Sequence, residues 1–120
     1  MEWEFKSGVP IYQQLIQGLS IRIANGTYPP GSKVPAVREL ALEAGVNPNT
    51  MQRALSELER DALLATRRTS GRFVTEDEQR LETLREELAA DFVSELCIKL
   101  RELGMHNEQI MQTVQKALDP

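Results

Sequence analysis

Apolar residues recur along this chain at helical spacing in five stretches, with two short runs of strand character between the third and the fourth. In the first stretch Ile11, Leu15, Leu19 and Ile23, with Tyr12, Ile16 and Ala24, form a stripe wide enough to face a core. Pro10 suits its first turn, and Asn25-Gly26 is a stop signal. The lead before it places Trp3 and Phe5 on one side of a short strand, and Tyr28-Pro29-Pro30-Gly31 predicts a rigid turn after it. Tyr12 and Tyr28 read as packing residues rather than as platforms for stacked bases. A second helix starts near Pro35, with Val37, Leu40, Ala41 and Ala44 inward, and ends at Gly45, which tolerates positive φ. A third is capped by Asn47, has Pro48 in its first turn, and turns Met51, Ala54, Leu55 and Leu58 inward.

Leu63–Thr66 and Arg72–Thr75 predict two strands joined by the polar turn Arg67-Arg68-Thr69-Ser70-Gly71. Thr75 with Glu78 three residues on has the form of a capping box. The fourth helix runs from it to Leu103, closed by Gly104, on a stripe of Leu81, Leu84, Leu88, Phe92, Leu96, Leu100 and Leu103. A fifth follows Asn107, with Ile110, Met111, Val114, Ala117 and Leu118 apolar. The expected fold is mainly α with a small β-wing: a winged helix-turn-helix over residues 1–75, then a helical hairpin over residues 76–120.

Net charge changes the picture once it is divided. The chain carries −4 overall, yet residues 1–75 hold nine Lys or Arg against seven Asp or Glu, while residues 76–120 hold five against eleven. The winged part is mildly basic and the acid sits in the tail. On the third helix Asn49, Thr50, Gln52, Arg53 and Ser56 make a polar face with no carboxylate until Glu57, as a helix entering a DNA major groove requires. An ordinary solvated face would show the same pattern. Arg67, Arg68 and Arg72, with Ser70 and Gly71, crowd the wing, where guanidinium groups suit phosphates or a narrow minor groove. The alternative there is pairing with Glu57, Glu59 or Asp61.

The two C-terminal helices have few neighbours of their own. Their ridge of Leu84, Leu88, Phe92, Leu96, Leu100, Ile110 and Val114 predicts a two-fold dimer, unless the hairpin packs back onto its own winged helix.

These residues also carry a resemblance. Val34-Pro35-Ala36-Val37-Arg38-Glu39-Leu40-Ala41, Gly45-Val46-Asn47-Pro48-Asn49-Thr50, Arg53-Ala54-Leu55 and Gly71-Arg72-Phe73-Val74 resemble the winged helix-turn-helix of GntR-type bacterial transcription regulators over residues 9–75. The short helical tail is similar to that of the YtrA-type branch. The resemblance implies double-stranded DNA as partner, repression by a homodimer at an inverted repeat, and transporter genes as targets. It implies DNA contacts from Arg38, Asn47, Asn49, Thr50, Gln52, Arg53, Arg67, Arg68, Ser70, Gly71 and Arg72. Arg38, Thr50 and the wing arginines would hold phosphates. Ala36 departs from a common serine, and Pro48 and Gln52 stand where other branches place arginines, which moves base readout onto Asn49, Gln52 and Arg53. The rival class is a winged helix used for protein assembly, which added salt would separate from DNA binding.

Other chemistry finds little footing. One Cys and one His make no zinc cluster and no internal disulfide. Cys97 reads as a small buried hydrophobe and His106 as loop decoration before a helix cap. No glycine-rich phosphate loop or paired carboxylates suggest an enzyme, and no cofactor is expected. Some 45 residues after the wing leave little room for a ligand pocket, and the space between the dimer helices and the winged helix is left open as a place for an unidentified small-molecule effector. No run approaches a membrane span, and the acidic N-terminus lacks a signal peptide's order. Both point to the cytoplasm.

Overall fold

A computed structural model describes residues 2–120. The order is α1 (Ile11–Ala24), α2 (Val37–Ala44), α3 (Pro48–Arg60), β1 (Leu64–Arg67), β2 (Gly71–Val74), α4 (Glu78–Glu102) and α5 (Asn107–Leu118). The chain divides into two compact units, Met1–Arg85 and Glu86–Pro120.

The first unit is built on α3, which packs against α1, α2 and β1. Its inward residues Met51, Ala54, Leu55 and Leu58 are buried, as are Leu15, Leu19 and Ile23 of α1 and Leu40, Ala41 and Ala44 of α2. The spacing of three and four that marks these helices in the sequence is what lets their faces meet. Asn47 caps α3 through its side-chain oxygen, which accepts the Asn49 N–H at 2.7 Å. Gly45 closes α2 at φ 70°. Among the described residues the lead forms no strand. Instead the Trp3 and Phe5 rings stack at 5.8 Å, and the Arg22 guanidinium lies 3.8 Å from the Trp3 ring centre. Gly18 makes room for this: a Cβ there would sit 2.4 Å from Trp3.

The α3 terminus is strained. Ala62 lies just past it at φ +60°, while Leu63 N–H returns to the Leu58 carbonyl at 2.9 Å. A left-handed alanine carries a steric penalty that glycine escapes. Ala62→Gly is therefore expected to raise unfolding stability by about 1 kcal/mol. A denaturant midpoint that moves up with unchanged slope checks it.

β1 and β2 pair antiparallel, Leu64 opposite Val74 and Arg67 opposite Gly71. A third edge, absent from the sequence reading, comes from residues 31–34. Gly31 N–H reaches Val74 O at 3.0 Å, Val74 N–H reaches Ser32 O at 2.9 Å, and Val34 N–H reaches Arg72 O at 3.0 Å. This edge ties the segment before α2 to the wing.

The start of α4 corrects the expected cap. Asp77, not Thr75, caps it: its Oδ1 accepts the N–H groups of Gln79 and Arg80 at 3.0 and 3.2 Å. Thr75 Oγ1 accepts Asp77 N–H instead, so the box pattern is present but shifted out of use. The first turns of α4 pack in the same compact unit as the winged part, which ends at Arg85. Leu81 and Leu84 are buried, Arg80 Nε donates to Asp61 O at 2.9 Å, and Arg85 Nη1 donates to Ala24 O at 3.0 Å. Leu84 is thus covered within its own chain.

In the second unit α4 ends before Gly104, at φ +83°, and α5 follows. His106, rather than Asn107, occupies the cap position of α5, and its N–H donates to Gln109 Oε1 at 2.9 Å. Ile110 is buried and Val114 half-buried, while Phe92, Val93, Leu96, Ile98, Leu103, Met111 and Leu118 remain exposed. Among the described residues no helix is long and apolar enough to cross a membrane.

Candidate nucleic-acid interface

Because Met51, Ala54, Leu55 and Leu58 face inward, helical geometry turns Asn49, Gln52, Arg53, Ser56 and Arg60 outward, and all five are exposed. The first turn is anchored by the Asn47 cap, by Thr50 N–H on Asn47 O at 3.0 Å, and by Met51 N–H on the same oxygen at 3.1 Å. Asn47 therefore spends its side-chain oxygen on the helix. Thr50 is half-buried on the α3 flank. Arg53 lies over α1: its guanidinium carbon is 3.7 Å from the centre of the Tyr12 ring. That stacked geometry satisfies the flat face of the cation and leaves its N–H edge for other partners. Tyr12 is thus a platform for a side chain, a role that periodicity alone does not signal.

The wing arginines have three different surroundings. Arg68 is exposed at the tip, together with Ser70. Arg67 is exposed and stacks on the Phe73 ring, 4.2 Å from its centre. Arg72 is half-buried; its Nε donates to Glu59 Oε1 on α3, and its Nη1 reaches Gln52 Oε1 at 3.5 Å. The pairing alternative therefore holds for Arg72 and leaves Arg68 as the open cation of the hairpin tip. Thr69 adopts φ +63°, an unusual conformation for a β-branched residue, and Gly71 follows at φ +103°.

Beside the wing tip lies a groove of about 420 Å³ whose walls include Lys33, Ala36, Ser70 and Gly71. Lys33 went unremarked in the sequence, yet its backbone bridges to Phe73 and its side chain lies where a Cβ on Gly71 would come within 2.8 Å. The only sequence signal was a lone lysine beside a Pro-Gly turn. Ala36 leaves the α2 side of this groove without a hydroxyl. Arg38 is exposed on α2.

Among the described residues two titratable groups are displaced from their ordinary values. Partial burial pushes the Glu59 carboxyl up, but hydrogen bonds from Arg72 and Thr66 and the Arg72 charge outweigh it, and the net direction is down. A carboxyl with a lowered folded value stabilises the fold above the ordinary carboxylate range and loses that contribution as pH falls through the folded value. Glu59→Gln is expected to flatten this part of the acid limb of the stability profile, measured by thermal unfolding from pH 6 to 3. Burial, and then the charge of Glu43, push the Tyr28 hydroxyl up, consistent with a packing role. Among the described residues no three His, Cys, Asp or Glu side chains gather as a metal site.

A mostly uncharged recognition face beside a cationic hairpin is the arrangement seen in DNA readers, and residues 11–74 match the family model described as bacterial regulatory proteins, gntR family. The chain belongs to the gntR family. A Bacillus subtilis relative described as the uncharacterized HTH-type transcriptional regulator YhcF is 34% identical over 95% of this chain and 94% of its own length. The HTH-type transcriptional repressor YtrA of the same organism is 42% identical over 60% of this chain and 55% of its own. Among solved structures, a GntR family transcriptional regulator from Listeria monocytogenes superposes with TM-score 0.85 at 38% identity, over 93% of this chain and 98% of that one. The DNA-binding domain of AraR in complex with operator ORX1 superposes with TM-score 0.56 at 28% identity, over 62% of this chain and 99% of that one. This gntR-family chain thus joins DNA-binding transcription regulators rather than enzymes, and its five helices with a two-stranded wing are the fold of that family with a short helical region after it.

Proposed function

We propose that the chain represses transcription in the cytoplasm by sitting as a homodimer on an inverted-repeat operator. The observation that carries this reading is the outward face of α3, which carries no carboxylate from Asn49 to Ser56 and stands beside the exposed Arg67 and Arg68 of the wing. In this reading α3 enters the major groove, Asn49, Gln52 and Arg53 meet base edges, and Arg38, Lys33 and Arg68 hold phosphates. Arg72 acts within the protein, because Glu59 already neutralises it. The winged helix-turn-helix extends into the first turns of α4, and the dimer forms through the rest of the tail. Phe92 and Leu96 centre that contact, with Leu88, Leu100 and Val114 around them.

Two substitutions separate the roles. Arg53→Ala is expected to cost about 1–3 kcal/mol in operator binding and to relax sequence choice. Arg68→Ala should weaken all sequences alike and reduce the salt slope by about one. Binding isotherms on operator and on unrelated duplex at several salt concentrations measure both. Unchanged specific binding by Arg53→Ala would contradict the assignment of Arg53 to a base.

A further inference from the structure

We infer that Tyr12 of α1 is a positioning residue for DNA specificity: its ring orders the Arg53 guanidinium before DNA arrives and so strengthens discrimination at the base pair Arg53 meets. The inference rests on the proposed reading in which α3 enters the major groove and Arg53 contacts a base edge. Arg53 is exposed, and its guanidinium carbon stands 3.7 Å from the centre of the Tyr12 ring. Among the described residues no hydrogen bond or ion pair competes with the ring for this cation. Stacking occupies one flat face of the guanidinium and none of its five N–H donors, which lie in its plane.

The platform is itself fixed. α1 packs against α3, and Leu15 and Ala54, which adjoin the pair on the two helices, are buried. Gln14 clasps the first turn of α1: its side chain accepts the Lys6 N–H at 2.8 Å and donates to the Lys6 and Val9 carbonyls, each at 2.9 Å. A half-buried tyrosine on such a turn has two torsions to settle, whereas a free arginine carries much more rotamer freedom. An arginine already restrained by the ring loses less of that freedom on meeting a base. The gain belongs to specific binding, because a duplex held through phosphates alone does not order Arg53 against a base. An exposed cation–π contact corresponds to about a two- to fivefold change in an equilibrium constant.

The test compares a duplex selected by wild type from a randomised library with an unrelated duplex. Both are titrated with wild type, Tyr12→Phe, Tyr12→Leu, Arg53→Ala and the Tyr12→Leu, Arg53→Ala double variant, each checked for fold by circular dichroism. The ratio of the two affinities should be kept in Tyr12→Phe and fall about two- to fivefold in Tyr12→Leu. In the Arg53→Ala background Tyr12→Leu should leave the ratio unchanged, which a merely structural role for the ring would not produce. An unchanged or raised ratio in folded Tyr12→Leu would overturn the inference. So would a loss that persists without Arg53, or a Tyr12→Phe that behaves like Tyr12→Leu and so assigns the effect to the hydroxyl. The free wild-type protein gives a check that needs no variant: ring current should move the Arg53 δ and ε protons upfield, and ordinary positions would contradict the stack. Full discrimination by Arg53→Ala would instead overturn the assignment of Arg53 to a base. Failure of wild type to select any sequence would overturn the DNA-reading proposal itself.

Discussion

Phe92→Glu combined with Leu96→Glu is expected to turn the protein into a monomer and to weaken operator binding about a hundredfold or more. Both side chains stand on α4 with about two fifths of their surface exposed, 42% and 41%, so neither is needed to fill the interior of a single chain. In the proposed two-fold dimer, carboxylates at the centre of the apolar contact would set like charges against one another across the axis with little water to solvate them. Loss of the dimer removes the second half-site from the same binding event, and effective-concentration gains of roughly 10²–10⁴ disappear with it. Sedimentation and operator titration of the same samples measure both parts. A double variant that remains dimeric would move the dimer contact elsewhere. Leu84 and Ile110 would be poor choices for this experiment, because both are already buried within the chain and their replacement would disturb the fold first.

Leu55→Ala is expected to lower unfolding stability by about 3 kcal/mol, within the usual range for a leucine emptied from a core. Leu55 is 1% exposed on α3, the helix that packs against α1, α2 and β1. A loss of that size is a large share of the roughly 5–15 kcal/mol that holds a domain together. It also loosens the support of the recognition face, so DNA affinity should fall at temperatures well below the midpoint of unfolding. Chemical denaturation gives the stability and a titration at two temperatures gives the affinity. A change under 1 kcal/mol would mean that α3 is less central than its burial implies.

The sequence made the helices of the winged part legible because each has one neighbour-facing stripe, and periodicity reports a stripe directly. Asn47, Pro48 and Gly45 fixed the turn between α2 and α3 for local reasons, and local signals survive without knowledge of the fold. What depended on distant partners was harder to read. The Arg72–Glu59 pair follows from how the hairpin folds back on α3, so its members were visible as candidates while the choice among Glu57, Glu59 and Asp61 was not. Residues 31–34 join the wing through backbone hydrogen bonds that no side-chain pattern announces. At the start of α4, Thr75 and Asp77 both belong to the capping class, and the threonine pattern matched a box that the aspartate pre-empts. The leucine stripe of α4 runs without a break from Leu81 to Leu100, so spacing alone could not tell that Leu84 is covered in the winged unit while Leu96 stays exposed.

The most direct measurement is a titration of the protein's own promoter and other genomic fragments at low and moderate salt, with the mass of each complex recorded by light scattering. Tight, strongly salt-dependent binding of two chains to one inverted repeat is the predicted result. Absence of binding even at low salt would contradict it and favour a winged helix that assembles with proteins instead.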